Sequence, residues 1–256
     1  MRSPLFILAV LAVVACDEPA IEWGDPVTIP AAPGSRLVVD SSGTARFVAD
    51  SSPKPSITGT GVCPNSVRAA WGTTRLRAVW WELRADSSAA LYMAASADSG
   101  RSWEKPVSVD SADVSAIACR RPAPAVFAQG DDLHIAYSMT ASEGTGVFFA
   151  HFLSSMVHSP VAVIYGDHVV PTAIAADGER IAVAYEDPNG KRRQVAVALS
   201  STQGHIFEAH AIASRDVDVA GNPAIALAGH EIAVAWSPAA AADSGSTRIV
   251  RRGRIR

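Results

Sequence analysis

The 256-residue sequence predicts an all-β protein made of repeated units, and three observations carry that expectation. A phrase of proline, apolar run, Gly or Asp turn, alternating strand and aromatic recurs along the chain. Its copies end at Trp80, Tyr137, Tyr185 and Trp236, spaced 57, 48 and 51 residues apart, which is the length of a propeller blade. Each copy is followed by further short β-prone runs bounded by turn residues. The fold class expected is a β-propeller of about five four-stranded blades, one degenerate, with an N-terminal strand closing the last blade.

The elements follow in order. Glu22 to Ile29 mirrors Trp103 to Val109, a fourth strand, while the final unit shows no fourth strand after its third, Arg248 to Val250. The 22–29 strand is therefore expected to complete the final blade and hide its open edge. Leu37 to Asp50 reads as an eroded copy of the first hairpin. Its outer half, Ser51 to Val62, is too rich in Pro, Ser and Gly for two good strands. Hairpins of first and second strands run from Pro64 to Trp80, Pro124 to Tyr137, Pro171 to Tyr185 and Pro223 to Trp236. Third strands follow at Leu91 to Ala95, Val147 to Phe152 and Gln194 to Leu199, and fourth strands at Trp103 to Val109, His158 to Ile164 and Ile206 to Ile212.

With 48% hydrophobic and 18% charged residues the chain has the composition of an ordered globular domain. Only 7% is aromatic, so the blades must pack largely through Ala, Val and Ile. A net charge of -3 argues against nucleic acid as a main partner. One basic cluster stands out, Arg248, Arg251, Arg252, Arg254 and Arg256, and reads as a solvated edge strand, with an anionic partner or phospholipid surface as the alternative.

At the N-terminus, Met1-Arg2 supplies positive charge, Leu5 to Val14 an apolar run too short to span a bilayer, and Val13-Val14-Ala15-Cys16 a small-residue cleavage site ending in Cys. This resembles a bacterial lipobox. The resemblance implies a signal peptide over 1–15, lipidation of Cys16, an anchor linker over 16–21 and a propeller domain over 22–256. An exported protein held to a membrane by its lipid is the localisation expected. Setting Cys16 aside leaves Cys63 and Cys119, which sit just before the first strands of consecutive units, and a disulfide between them is expected in an oxidising compartment.

Ser96-Ala97-Asp98-Ser99-Gly100-Arg101-Ser102-Trp103 lies between a third and a fourth strand. Ser96 and Asp98 can bond back onto turn amides, Gly100 can take a positive φ, and Trp103 supplies an apolar anchor. The stretch resembles the Asp-box, the hairpin-turn signature of the sialidase-like β-propellers. Those propellers usually have six blades, one more than this chain supplies, and the Arg-Ile-Pro signature typical near their start is absent.

In a four-stranded blade, first-to-second and third-to-fourth turns share one face of the disc, while second-to-third and blade-to-blade loops share the other. The Asp-box residues Ser96, Asp98, Gly100 and Trp103 then read as structural, and ligand chemistry is expected opposite them. Candidates there are Arg120, Arg121, Asp167 and His168 from blade-to-blade loops, with Asp216, Asp218 and Asn222, and Glu186 and Asp187 from a second-to-third loop, with Lys191 and Arg192. The sialidase resemblance implies three arginines on a substrate carboxylate, a Tyr nucleophile with a Glu, and an Asp acid/base. Arg68, Arg120 and Arg121 stand outside that motif context, Tyr137 and Tyr185 read as core, and Tyr165 is the only tyrosine near a blade-to-blade loop.

The seven histidines show no zinc spacing, and no phosphate loop or Gly-x-Ser-x-Gly elbow occurs, so no metal or cofactor is expected. The sequence thus reads as a monomeric, lipid-anchored envelope protein with a non-catalytic binding or scaffold propeller. Its expected partners are a glycan or an envelope protein or peptide. The alternatives are an exo-sialidase-type glycoside hydrolase and an envelope assembly factor.

Overall fold

A computed structural model describes residues 20–153, 156–190, 192–214, 220–238 and 247–256, so the segment that resembles a lipobox, with Cys16, lies outside the described residues. Strands β1 (Ile21–Trp23) and β2 (Val27–Pro30) come first, then the two-stranded sheet of β3 (Ser35–Val39) and β4 (Ala45–Ala49). The second blade is β5 (Arg68–Trp71), β6 (Leu76–Leu83), β7 (Ala89–Ser96) and β8 (Val107–Asp110), paired in that order. In the third, β9 (Ala125–Gln129), β10 (Asp132–Ala141) and β11 (Gly144–Leu153) are followed by β12 (Met156–Val157) and β13 (Val161–Gly166), both paired to β11. The fourth is β14 (Thr172–Asp177), β15 (Arg180–Glu186), β16 (Val195–Ser200) and β17 (Ala209–Ile212). The fifth is β18 (Ala220–Ala228), β19 (Glu231–Pro238) and β20 (Thr247–Ile255).

The expected all-β propeller with one degenerate blade is the observed architecture. Closure follows the expected route as well, because β2 pairs Val27 with Val250 and β1 pairs Ile21 with Ile255 along the outside of β20. One expectation is corrected here. β20 lies between β19 and the N-terminal strands, so its arginines are not on an edge strand. Arg251 instead donates from Nε to the Gly24 carbonyl (2.9 Å) and from Nη1 to that of Ala213 (3.0 Å), and it stacks over Trp23.

Consecutive blades pack face to face, and the repeated aromatic at the end of each second strand is central to this. In the second blade that place belongs to Trp81 and not, as the sequence spacing suggests, to Trp80, which lies on the opposite face with Tyr92 and Trp103. Trp81 meets Tyr137 edge-on at 5.8 Å between the second and third blades. Phe149 and Tyr185 fill the seam between the third and fourth, and Val197, Ile21 and Trp236 the seam between the fourth and fifth. Small residues fill the rest, Ala182, Ala184, Ala233 and Ala235 all being fully buried. Trp81 also donates its indole N–H to the Pro122 carbonyl at 3.0 Å, and truncating such a residue costs about 3–5 kcal/mol.

The degenerate blade is covered rather than rebuilt. Ile57, Val62 and Val67 pack with Trp80, Tyr92 and Trp103 on the open face of the second blade, and Val62 bridges Glu82. A disulfide joins Cys63 to Cys119 across the second and third units, with Cα atoms 5.3 Å apart. Fourth strands start later than the sequence suggests, at Val107 and Val161. Pro106 and Pro160 lack the N–H that would extend those ladders inward.

Candidate functional site

Hydrogen bonds between neighbouring loops define two faces. Asp167 N–H donates to the Pro188 carbonyl (3.2 Å) and Asn189 Nδ2 to that of Tyr165 (2.7 Å), which joins a blade-to-blade loop to a second-to-third loop on the mouth face. On the opposite, turn face, Thr73 N–H donates to the Gly130 carbonyl and Gln129 Nε2 to that of Gly178, linking successive first-to-second turns.

On the mouth face the sequence candidates separate into two classes. Arg121 is turned inward, its side chain and that of Asp113 both 1% exposed in an ion pair. Its guanidinium also donates to the carbonyls of Ala118 and Ser115, while Asp113 accepts from the amide of Ala89 (2.9 Å) and the Ser115 hydroxyl (2.7 Å). This pair braces the loop that carries Cys119. Glu186 is likewise engaged: Arg193 forks onto it from Nε (3.1 Å) and Nη2 (2.9 Å), and the Asn222 amide donates to its Oε1 (3.0 Å). That bonding and the carboxylate's charge raise the Arg193 pKa. Gly221 lies close beside this pair: a Cβ there would stand 2.5 Å from Arg193 Nη2 and 2.9 Å from Glu186 Oε1, so any side chain would displace the arginine tip.

Arg120, Asp167 and His168 are exposed, and Asp187 is half-buried and accepts from the Asn189 amide. Arg120 donates from Nε to the Ile117 carbonyl at 3.2 Å, its one side-chain hydrogen bond among the described residues. Lys191, Asp216 and Asp218 lie outside the described residues.

The tyrosines divide in the same way. Tyr137 is fully buried and donates to Asp110 at 2.5 Å, and burial pushes its phenol well above the usual range. Tyr185 is 1% exposed with its hydroxyl 3.0 Å from His210 Nδ1. Tyr165 is exposed over the edge of Phe148, and no hydrogen bond among the described residues reaches its hydroxyl.

The turn face holds two matching turns. In the first, Ser96 Oγ accepts from the amides of Gly100 (2.8 Å) and Asp98 (3.3 Å), and the Asp98 carboxylate accepts from Ser102 N–H (2.9 Å) and Oγ (2.6 Å). Those bonds hold the Asp98 carboxyl well below the usual carboxylate range. In the second, Ser200 Oγ accepts from Gly204 (2.9 Å) and Thr202 (3.1 Å), and Thr202 Oγ1 accepts from Ile206 N–H (3.1 Å). The backbones agree: φ is +63° and +87° at Ser99 and Gly100, and +57° and +86° at Gln203 and Gly204. The 200–207 turn escaped the sequence reading because Thr202 stands where Asp98 does, although Ser, Gly and an aromatic keep their spacing.

Beside the second turn four imidazoles gather, which the chain spacing of the histidines did not suggest. His134 and His151 are cross-strand partners on β10 and β11, His158 lies across the third-to-fourth turn, and His205 comes from the neighbouring blade. Ring centres are 4.8 Å apart for His151 and His158, and 5.1 Å for His151 and His205. A cavity of about 220 Å³ opens among His151, His158, His205, Ser159 and Phe149. Burial, with a smaller contribution from His151, lowers the His134 pKa to about 4, and burial lowers that of His151 too, so both are neutral at pH 7. No three His, Cys, Asp or Glu side chains among the described residues already surround one metal position.

No protein-family model and no curated protein matches the chain. Among solved structures it is similar to Trypanosoma rangeli sialidase in complex with 2,3-difluorosialic acid, at 13% identity and a TM-score of 0.48, over 82% of this chain and 39% of that one. It is also similar to the catalytic domain of a GH62 α-L-arabinofuranosidase from Coprinopsis cinerea (11% identity, TM-score 0.46, 91% of this chain and 71% of that one). A third is a xylan β-1,4-xylosidase from Bacillus halodurans C-125 (10% identity, TM-score 0.43, 92% and 52%). The chain spans about two fifths of the sialidase chain it matches.

Proposed function

We propose that the chain is a sialidase-like propeller serving as a non-catalytic binding or scaffold module, held at a bacterial envelope membrane by lipid on Cys16. The observation that carries the non-catalytic reading is the internal pairing of the mouth charges. Arg121 is sealed against Asp113, so its guanidinium is not free to grip a substrate carboxylate, and Glu186 is occupied by Arg193, whose own side chain is 60% exposed. Among the described residues the exposed tyrosine, Tyr165, has no carboxylate bonded to its hydroxyl to polarise it, as a nucleophile requires. Arg120, Asp167 and His168, exposed at the mouth, suit a weakly held anionic glycan or peptide. The Cys63–Cys119 disulfide supports export to an oxidising compartment.

Turnover of a fluorogenic sialoside by the purified chain tests the catalytic question. No turnover above the blank is expected, and turnover that Tyr165→Phe abolishes would establish a hydrolase instead. For the binding role, labelled protein is applied to an array of anionic glycans as wild type and as Arg120→Glu. Weaker capture of the variant supports the mouth, and equal capture removes it. The anchor is tested by Cys16→Ser, expected to move the protein out of the detergent phase on partition.

A further inference from the structure

We propose that His151, His158 and His205 form an inducible site for a late first-row divalent cation, of the zinc or nickel class, at the turn-face seam between the third and fourth blades. Three imidazoles with no carboxylate among them favour such ions over calcium or magnesium, which take oxygen ligands.

The geometry is close to what one ion requires. Zn–N bonds of about 2.1 Å at tetrahedral angles put imidazole ring centres roughly 5 Å apart. The His151–His158 and His151–His205 separations, 4.8 and 5.1 Å, meet that value, while His158 and His205 stand at 6.5 Å. The set is therefore unfinished, and His205 is the member able to finish it. It is exposed, and no side-chain hydrogen bond among the described residues holds its ring.

The other two ligands are prepared. His151 Nδ1 lies 3.0 Å from the Gln203 carbonyl, which can only accept, so the proton sits on Nδ1 and Nε2 carries the lone pair. A backbone carbonyl behind a ligating imidazole is the arrangement that fixes tautomer and ring orientation at metal sites. His158 Nε2 is buried with no hydrogen-bond partner among the described residues, a costly state that a metal bond would relieve. Gly204 sets the approach of the third ligand: a Cβ there would lie 2.1 Å from the Phe149 ring, so only glycine lets the turn bring His205 to the cavity. Three protein ligands and a 220 Å³ cavity leave a fourth position for water or a small anion beside Ser159.

The test uses the tag-free full chain titrated with Co²⁺, followed by calorimetry with Zn²⁺ at pH 7.5. One ion per chain is expected, with the intense visible absorption of four-coordinate Co²⁺. His205→Ala, an exposed change, should weaken binding at least about tenfold, in line with the loss of a ligand, without shifting the unfolding transition. His158→Ala should do the same, and His230→Ala, an exposed histidine on the fifth blade, should leave binding unchanged. Absence of stoichiometric binding, or binding indifferent to His205→Ala and His158→Ala, overturns the proposal.

Discussion

The two faces of the disc use their polar groups in opposite ways. On the mouth face, charged side chains are consumed by one another: Arg121 with Asp113 inside the 111–121 loop, and Arg193 with Glu186 beside Asn222. On the turn face, hydroxyl and carboxylate groups close the turns around themselves, and two imidazole nitrogens near the second turn, His134 Nδ1 and His158 Nε2, are buried with no hydrogen-bond partner among the described residues. A buried charge must be paired, whereas a neutral imidazole tolerates burial with a lowered pKa. The face that looks richest in chemistry by charge count is therefore the more structural one.

The large expected effects lie on the mouth face. Replacing both Cys63 and Cys119 by Ala opens a link between residues 56 apart, and should cost roughly 4 kcal/mol in the chain-entropy model, read by urea denaturation. An unchanged midpoint would mean that the bridge braces nothing. On the turn face, Gly204→Ala places a methyl against Phe149 in a positive-φ position and should cost about 2–3 kcal/mol. Gly178→Ala shares the positive φ but meets nothing within 4 Å, so about 1 kcal/mol is expected. Equal losses at the two sites would remove close approach to Phe149 as the reason for Gly204.

The smallest effect concerns acid. Because the folded Asp98 carboxyl is depressed below its unfolded value, its contribution is full above about pH 4 and is lost as pH falls through that value and below. Asp98→Asn should therefore lower stability in the neutral region, leave it little changed at the acid end where the carboxylate is already protonated, and so flatten the acid limb of the profile. A variant with the wild-type acid limb would show that the turn does not need the charge.

Most of the fold was legible because it is periodic. The aromatic at the end of each second strand, the Gly or Asp turns and the mirrored 22–29 and 103–109 segments report local geometry that repeats. Cys63 and Cys119 could be matched because they hold equivalent places in adjacent units. The site was much less legible. Arg120 and Arg121 are neighbours in an irregular loop, and nothing in their order says that one is exposed and the other sealed against Asp113. Burial there depends on where the 3-10 turn at Ala118–Arg120 points the following side chain. The imidazole cluster was hidden for another reason, since it spans two blades and only register and inter-blade packing bring His134, His151, His158 and His205 together. The second turn was within reach, because Ser200, Gly204 and Phe207 keep the spacing of Ser96, Gly100 and Trp103.

The claim that the mouth charges are structural is tested most directly by urea denaturation of Arg121→Gln beside Arg120→Gln. Removing Arg121 leaves Asp113 buried without its cation and should cost about 3–5 kcal/mol, whereas removing the exposed Arg120 should change stability by no more than about 0.5 kcal/mol. Two variants equally stable with the wild type would contradict the account and return Arg121 to the set of residues free to bind a ligand.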